Sequence, residues 1–181
     1  MVMIMVVLVA ITMYGFFSSS FSRYFSLQKD ATNFGEMAVQ TQRVATVLRG
    51  STDVVSASST ELTVYAYFAP ADTYVSQIRY YLNANKTVLY ADVTRMTANP
   101  PIGVTIPSSL TTYTIISNYH YAATVNLFTY LDANGNTLAM PLGDLKTIKG
   151  IRISLSAPSS NANASHNIDV QVSLRNRKTN L

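Results

Sequence analysis

The sequence contains no cysteine and no tryptophan, and only 12% of its residues are charged. Without cysteine, this chain has no disulfide framework, no thiolate nucleophile and no thiolate metal site. The charged fraction is well below the usual value of about 25%, so Ser, Thr, Asn and Tyr must supply most of the polar surface. That composition is typical of an exported β-rich protein rather than of a cytosolic enzyme.

The residues that usually carry chemistry are also scarce. There are two histidines: His120 lies in a predicted strand and His166 in a polar loop, so no Ser/His/Asp arrangement can be argued. The seven glycines are scattered and form no phosphate-binding loop. The basic tail over residues 175–178 could contact nucleic acid, but a solvated terminus explains it more simply. We therefore expect no catalysis and no cofactor, and nucleic acid is only a weakly supported partner.

One stretch begins like a calcium-binding loop. Asp132, Asn134 and Asn136 occupy its first, third and fifth positions. The pattern then fails, because Thr137 stands where the loop requires glycine and Gly143 where it requires glutamate. A hairpin turn explains these residues, and we expect no metal.

The first 22 residues carry no charge, since Arg23 is the first charged residue. Residues 1–17 are apolar all round and lack the polar stripe of a helix buried on one face. A helix of 22 residues is roughly 33 Å long, enough to cross a hydrocarbon core of about 30 Å. A cleaved signal peptide would need a basic N-terminal region and a cleavage site of small residues. The basic region is missing, and residues 16–20 match such a cleavage site poorly. Two interpretations remain: a plain membrane anchor, or a helix that is stored in a membrane and later packs among copies of itself.

The same helix is predicted to continue beyond this apolar segment. Arg49 followed by Gly50 is a suitable helix end, so residues 1–50 are predicted to form one helix roughly 70 Å long. Residues 1–22 protrude as a membrane or filament-core segment, and residues 23–50 are amphipathic. Gly15 and the serines up to Ser22 predict a kink or a stretched turn where the two segments meet. Apolar positions in the second half recur in steps of four and three, at Leu27, Ala31, Phe34, Ala38, Thr41, Ala45 and Leu48.

Residues 51–181 are predicted to form an antiparallel β domain, because the periodicity changes to two after Gly50. We expect a proline-containing loop over residues 96–112 and one helical turn within residues 143–149. Since hairpins join sequential strands, one antiparallel sheet is expected under the helix, an α+β architecture. Strands are predicted over residues 61–68, 75–82, 87–94, 113–121, 124–131, 137–140, 151–156 and 168–174.

With this organisation the chain resembles the type IV pilins and pseudopilins, in particular their minor-pilin branch. The similarity in architecture covers the whole chain: an apolar N-terminal helix, an amphipathic continuation and an antiparallel sheet. Finer similarities lie in residues 43–50, 56–59, 128–135 and 172–176. The resemblance implies a structural, non-catalytic subunit of a type IV pilus or pilus-like filament. Its β domain would be exposed for adhesion, motility or DNA uptake.

The resemblance also implies partners and a location. The chain would be held in the inner, cytoplasmic membrane before assembly. The membrane assembly machinery would then transfer it, with other pilins, into a helical homo-oligomeric filament at the cell surface. The residues assigned to filament assembly are Val2, Val6, Val9, Met13, Phe16, Phe17 and Phe21. The residues assigned to docking the helix on the sheet are Leu27, Phe34, Ala38, Ala45 and Leu48.

The chain departs from the family at its N-terminus. The basic leader, the glycine and the Phe-Thr-Leu-Ile-Glu type of mature start are absent, and Met5 occupies the place of the usual acidic fifth residue. The cysteine pair that many pilins use near the C-terminus is absent as well. We expect the mature N-terminus to lie upstream of Met1. A basic leader there would offset Arg23 and Lys29, which on their own favour a cytoplasmic β domain.

Two alternatives remain open. The chain could be a minor pseudopilin that primes a secretion or DNA-uptake machine without forming long fibres. It could also be a single-span membrane protein whose extracellular β-rich domain binds a ligand. An acidic residue or a Gly-Phe junction just upstream of Met1 would favour the pilus subunit and the pseudopilin over the single-span protein. Abundant fibres built mainly from this chain would favour the pilus subunit over the pseudopilin.

Overall fold

The computed structural model describes residues 2–117, 126–158 and 165–174. The fold is α+β, with a long N-terminal helix, α1 (Val2–Arg49), packed on antiparallel strands. Short 3-10 helices span Pro107–Ser109 and Leu145–Thr147. The strands are β1 (Asp53–Ala57), β2 (Glu61–Ala66), β3 (Ser76–Leu82), β4 (Leu89–Arg95), β5 (Thr111–Ile116), β6 (Phe128–Leu131), β7 (Gly150–Pro158) and β8 (Ser165–Ser173).

The described strands form two sheets where hairpin connections predict one. The first sheet has the order β1-β2-β3-β4-β5 and the second the order β6-β7-β8, all antiparallel. Residues 117–127 separate β5 from β6, which is too long for a hairpin turn. Instead, β6 is tied to the β1–β2 turn, because the Phe128 N–H donates to the Ser59 carbonyl at 3.1 Å.

Several local predictions can be compared with the described strands. The helical turn predicted within residues 143–149 is confirmed, and Asp144 caps it by accepting the Lys146 N–H at 2.8 Å. The strand predicted at residues 137–140 is wrong, since only Thr137 forms an isolated bridge to Leu131. Strand β1 was not predicted at all. Residues 118–125 and 159–164, which include His120 and parts of three predicted elements, lie outside the described residues.

Helix α1 runs through Gly15 and Ser22 without interruption, so the stretched turn predicted there is absent. On either side of this stretch, the hydroxyl groups of Thr12 and Ser26 donate to carbonyls of the preceding turn without breaking the helix. The Ser26 hydroxyl, for example, donates to the Arg23 carbonyl at 2.9 Å. The helix is therefore continuous from the apolar segment into the domain.

The hydrophobic core lies between the last turns of α1 and both sheets. Tyr80 and Tyr130 are the largest buried side chains, and burial raises the pKa of both phenols. The Tyr130 hydroxyl donates to the Ser58 carbonyl at 2.7 Å, which joins the second sheet to the β1–β2 turn. The C-terminal end of α1 therefore packs against strands of both sheets. The core includes Val44, Leu48, Leu62, Val64, Ile78, Leu89, Phe128, Ile151, Ile153 and Val172.

Candidate assembly surface on the N-terminal helix

We define the protruding segment as residues 3–25 of α1. Every side chain described in it is exposed. Its length and composition are sufficient to cross a membrane, and none of its most apolar window is buried by the domain. A segment of this length is roughly 34 Å long, and soluble monomers rarely expose a contiguous apolar surface of that size. An exposed surface of this kind is typical of a segment that is covered by lipid or by other protein.

The residues predicted to drive filament assembly lie on this segment. Val2 belongs to α1, but its side chain is not described. The Phe17 and Phe21 rings stack with centroids 6.4 Å apart, and Phe16 meets Phe17 edge-on at 6.1 Å. An aromatic cluster of this kind has large flat surfaces that can interdigitate with a neighbouring helix. The described members expose the following fractions: Val6 62%, Val9 56%, Met13 59%, Phe16 70%, Phe17 54% and Phe21 59%.

The residues predicted to dock α1 on the sheet do not all reach it. Ala45 and Leu48 are completely buried, Ala38 is half-buried, and Phe34 lies at the margin with 37% of its surface exposed. Leu27 is 67% exposed, which corrects its assignment to the docking face. A seven-residue pattern identifies one face of the helix but not where the domain beneath it ends. The docked part of α1 begins about two turns later than the pattern suggests.

Four further buried residues complete the docking face: Met37, Thr41, Val44 and Val47. Thr41 is a position of the predicted pattern, and Met37, Val44 and Val47 widen the apolar face beside it, as expected for a helix that lies on a domain. Thr41 is polar yet fully buried, and its hydroxyl donates a hydrogen bond to the Met37 carbonyl within the helix, at 2.6 Å. The docked face is therefore wider than a strict seven-residue seam.

Exposed apolar side chains continue beyond the reach of a bilayer. About 20 residues suffice to cross the hydrocarbon core, so a span that begins near Met3 ends near Phe25. Leu27 and Val39 lie further along α1, with 67% and 68% of their surfaces exposed. Lipid that covers the protruding segment would not reach Val39, which is one turn beyond the charged Glu36. Leu27 and Val39 therefore stay exposed on α1 whether or not lipid covers the protruding segment.

The outer face of the first sheet carries a polar network that is satisfied within the chain. The Arg79 guanidinium donates to both carboxylate oxygens of Glu61, at 2.8 and 2.9 Å, and lies 4.5 Å over the Tyr81 ring. The Arg79 hydrogen bond holds the pKa of the Glu61 carboxyl below its usual value. Asp92 accepts from the Thr112 hydroxyl at 2.6 Å. These groups form a preorganised polar surface on the side of the domain away from α1.

The calcium-like stretch is a self-capped turn. Asp132 accepts the backbone N–H groups of Asn134 and Asn136, each at 2.8 Å, and these bonds lower the pKa of its carboxyl. The carboxylate thus stabilises the turn itself. Within the described ranges, no group of three or more His, Cys, Asp and Glu residues is placed to hold a metal ion.

A groove of about 440 Å³ lies where the last turns of α1 meet the segment after β2. Val47, Tyr67, Phe68 and Pro70 supply much of its apolar lining, and the Arg43 guanidinium lies 5.4 Å from the centre of the Phe68 ring. The groove is open, and Arg43, Thr46 and Tyr67 are the polar residues of its lining, whereas small-molecule sites usually bury most of the ligand surface.

No protein-family model matches the sequence, and no curated protein matches it significantly.

Proposed function

We propose that this protein is a structural subunit of a type IV pilus or pilus-like filament, without a catalytic role. The observation that carries the proposal is the protruding segment, which is apolar, continuous with the docked part of α1 and uncovered by the domain. The exposed side chains past the reach of a bilayer, up to Val39, favour a protein covering over lipid alone.

The energetics favour assembly once the segment leaves the membrane. Burying one large apolar side chain is worth about 1.5–3 kcal/mol, so burying six of the predicted assembly residues is worth on the order of 10–20 kcal/mol. Inside a membrane this burial is already satisfied by lipid, and helix association there depends on packing. A subunit drawn out of the membrane must recover the same burial from the helices of other copies.

The shape of the chain favours an open assembly. Its β domain lies at one end of α1 and the protruding segment at the other, so copies inserted into one membrane would share the same polarity. Parallel copies that are shifted along the axis make head-to-tail contacts that do not close, which is the geometry of a fibre. The domains would coat the outside and present the polar face around Arg79 to the surroundings.

The proposal is tested by shearing cells that produce the chain, collecting the released material and examining it by electron microscopy and mass spectrometry. We expect fibres in which this chain is the main band. Phe17→Ala should reduce fibre yield strongly while the chain remains in the membrane. Leu110→Ala is the matched control, since Leu110 on the β domain is 55% exposed and Phe17 is 54% exposed. A chain that stays in the membrane fraction without fibres would exclude the proposed function.

A single-span membrane protein with an extracellular β-rich domain is the second candidate. It is favoured by the length and apolar composition of the helix, which by themselves allow membrane anchoring. On that alternative no fibres form, and Phe17→Ala and Leu110→Ala behave alike. A minor pseudopilin would instead be found in fibres only in trace amounts.

A further inference from the structure

The second half of α1 carries a row of alternating charges along one flank. Lys29, Glu36 and Arg43 are each seven residues apart and all exposed. Seven residues correspond to about 10.5 Å along the axis. Successive members are turned by only about 20° around the helix. The three charges therefore form a nearly straight row of positive, negative and positive groups.

The charges of this row have few oppositely charged neighbours within their own chain. Neither Lys29 nor Glu36 has an oppositely charged residue three or four positions away, the spacing at which helix side chains meet. In the described part of the chain, no salt bridge involves either residue. Arg43 is engaged differently, since its guanidinium lies over the Phe68 ring. The row thus offers charge complementarity to something outside the chain.

The helix surface beside this row has room for a close neighbour. A side chain added at Gly35 would meet nothing within 4 Å, although glycine costs about 1 kcal/mol in a helix interior relative to alanine. Val39, one turn further on, is 68% exposed. Gln28 and Thr32 are exposed and uncharged. Nothing in the described chain fills this space, so a second helix can approach closely here.

We propose that the Lys29–Glu36–Arg43 row sets the axial stagger between neighbouring copies of this chain. Parallel helices shifted by seven residues, about 10.5 Å, place Lys29 of one copy beside Glu36 of the next. The same shift brings Glu36 of the first copy to Arg43 of the next. Helices packed without a shift would place like charges opposite one another, which is unfavourable.

This inference rests on the proposed function, because insertion into one membrane is what makes the helices parallel. An antiparallel pair would also bring Lys29 to Glu36. It would, however, close into a dimer with the β domains at opposite ends. The two arrangements therefore differ in whether the contact continues from copy to copy.

A zero-length carbodiimide cross-link tests the contact directly, because it joins an amine to a carboxylate only when the two touch. Filaments assembled from a mixture of isotopically labelled and unlabelled full-length chain are cross-linked and analysed by gel electrophoresis and mass spectrometry. We expect a Lys29–Glu36 isopeptide that joins labelled to unlabelled chains, and a ladder of covalent multimers. Lys29→Gln should abolish the ladder. Lys146→Gln should not, since Lys146 is exposed on the β domain.

The outcomes separate the two claims. If fibres form but contain no Lys29–Glu36 link between copies, or if Lys29→Gln leaves the ladder unchanged, the stagger is wrong and the filament proposal stands. Covalent dimers without higher multimers would indicate the antiparallel pair and overturn the inference. If the unmodified chain forms no fibres, the proposed function fails and the inference fails with it.

A charge reversal gives an independent readout. Lys29→Glu should lower fibre yield about fivefold or more, the effect of losing roughly 1 kcal/mol at each contact. Adding Glu36→Lys should recover part of that loss, because it restores opposite charges between positions 29 and 36. Lys146→Glu changes the net charge equally and should leave the yield unaltered. Equal losses for Lys29→Glu and Lys146→Glu would contradict the inference.

Discussion

Two leucines on the same helix provide a matched test of where α1 docks. Leu48 is completely buried against the sheets, whereas Leu27 exposes 67% of its surface. Truncating each to alanine removes the same atoms from two different environments. Leu48→Ala should strongly destabilise the β domain, and Leu27→Ala should leave its stability almost unchanged.

The expected magnitudes follow from burial. Leu→Ala removes roughly three methylene equivalents, worth about 0.8 kcal/mol each when buried. The cavity that remains raises the cost of Leu48→Ala to about 3–5 kcal/mol of unfolding free energy. At Leu27 only about a third of the side chain is covered, so the loss is below about 1 kcal/mol. The slightly better helix propensity of alanine reduces that loss further.

The measurement is thermal and urea unfolding of the full-length chain in detergent micelles. The chain has no tryptophan and twelve tyrosines, so near-ultraviolet circular dichroism reports on the packing of tyrosine in the β domain. If Leu27→Ala destabilises the domain as much as Leu48→Ala, α1 docks along its whole second half. The distinction between the docked end and the uncovered helix would then be wrong.

Three further predictions concern the domain. Tyr130→Phe should cost about 1–2 kcal/mol in urea unfolding, because it removes the hydrogen bond to the Ser58 carbonyl; an unchanged midpoint would show that this bond does not stabilise the junction between the sheets. Ser51→Ala should be neutral or stabilising by up to about 1 kcal/mol, since the buried Ser51 hydroxyl has no partner among the described atoms; a clear loss of stability would contradict this. The Glu61–Arg79 bond lowers the pKa of Glu61 from its ordinary value of 4.5, so its stabilisation is present above that pH and is lost as the pH falls through the lowered value in the folded state. Both side chains are partly exposed, so Glu61→Gln should cost less than about 1 kcal/mol at pH 7, and this cost should shrink as the pH falls through the lowered pKa of the folded state; a cost that does not change with pH would exclude a charge effect.

The helix could be predicted from sequence because its signals are local. Its C-terminal end at Arg49 coincides with a basic last turn followed by Gly50, and no proline occurs before Pro70 to interrupt it. Strand β7 was equally accessible, because apolar and polar residues alternate through its centre. Sequence also identified the face of α1 that contains Ala45 and Leu48.

The remaining features depend on contacts between distant residues. The division into two sheets follows from bonds such as Phe128 to Ser59 and Tyr130 to Ser58, which no local pattern encodes. Strand β1 escaped prediction because it is short and lies at a sheet edge, with Val54 as its one fully buried residue. Leu27 was misassigned for a related reason, since periodicity shows which side of a helix is apolar but not how far its partner extends.

The charge row on α1 is visible in sequence only once the helix is known to be continuous. Lys29, Glu36 and Arg43 are separated by unremarkable residues, and their alignment depends on an uninterrupted helix of 48 residues. That they lie on a flank beside the docked face depends in turn on which residues the domain buries. The continuous helix is therefore what aligns the three charges into a candidate contact with another copy.

Assembly through the protruding segment is tested most directly by an electron cryo-microscopy reconstruction of the fibres released from producing cells. We expect a core of parallel α1 helices, with residues 3–25 of each copy surrounded by the same segment of its neighbours and the β domains on the outside. A fibre held together by its β domains, with the protruding segment unpacked, would contradict assembly through α1. Finding the chain only as dispersed subunits in the membrane would contradict it as well.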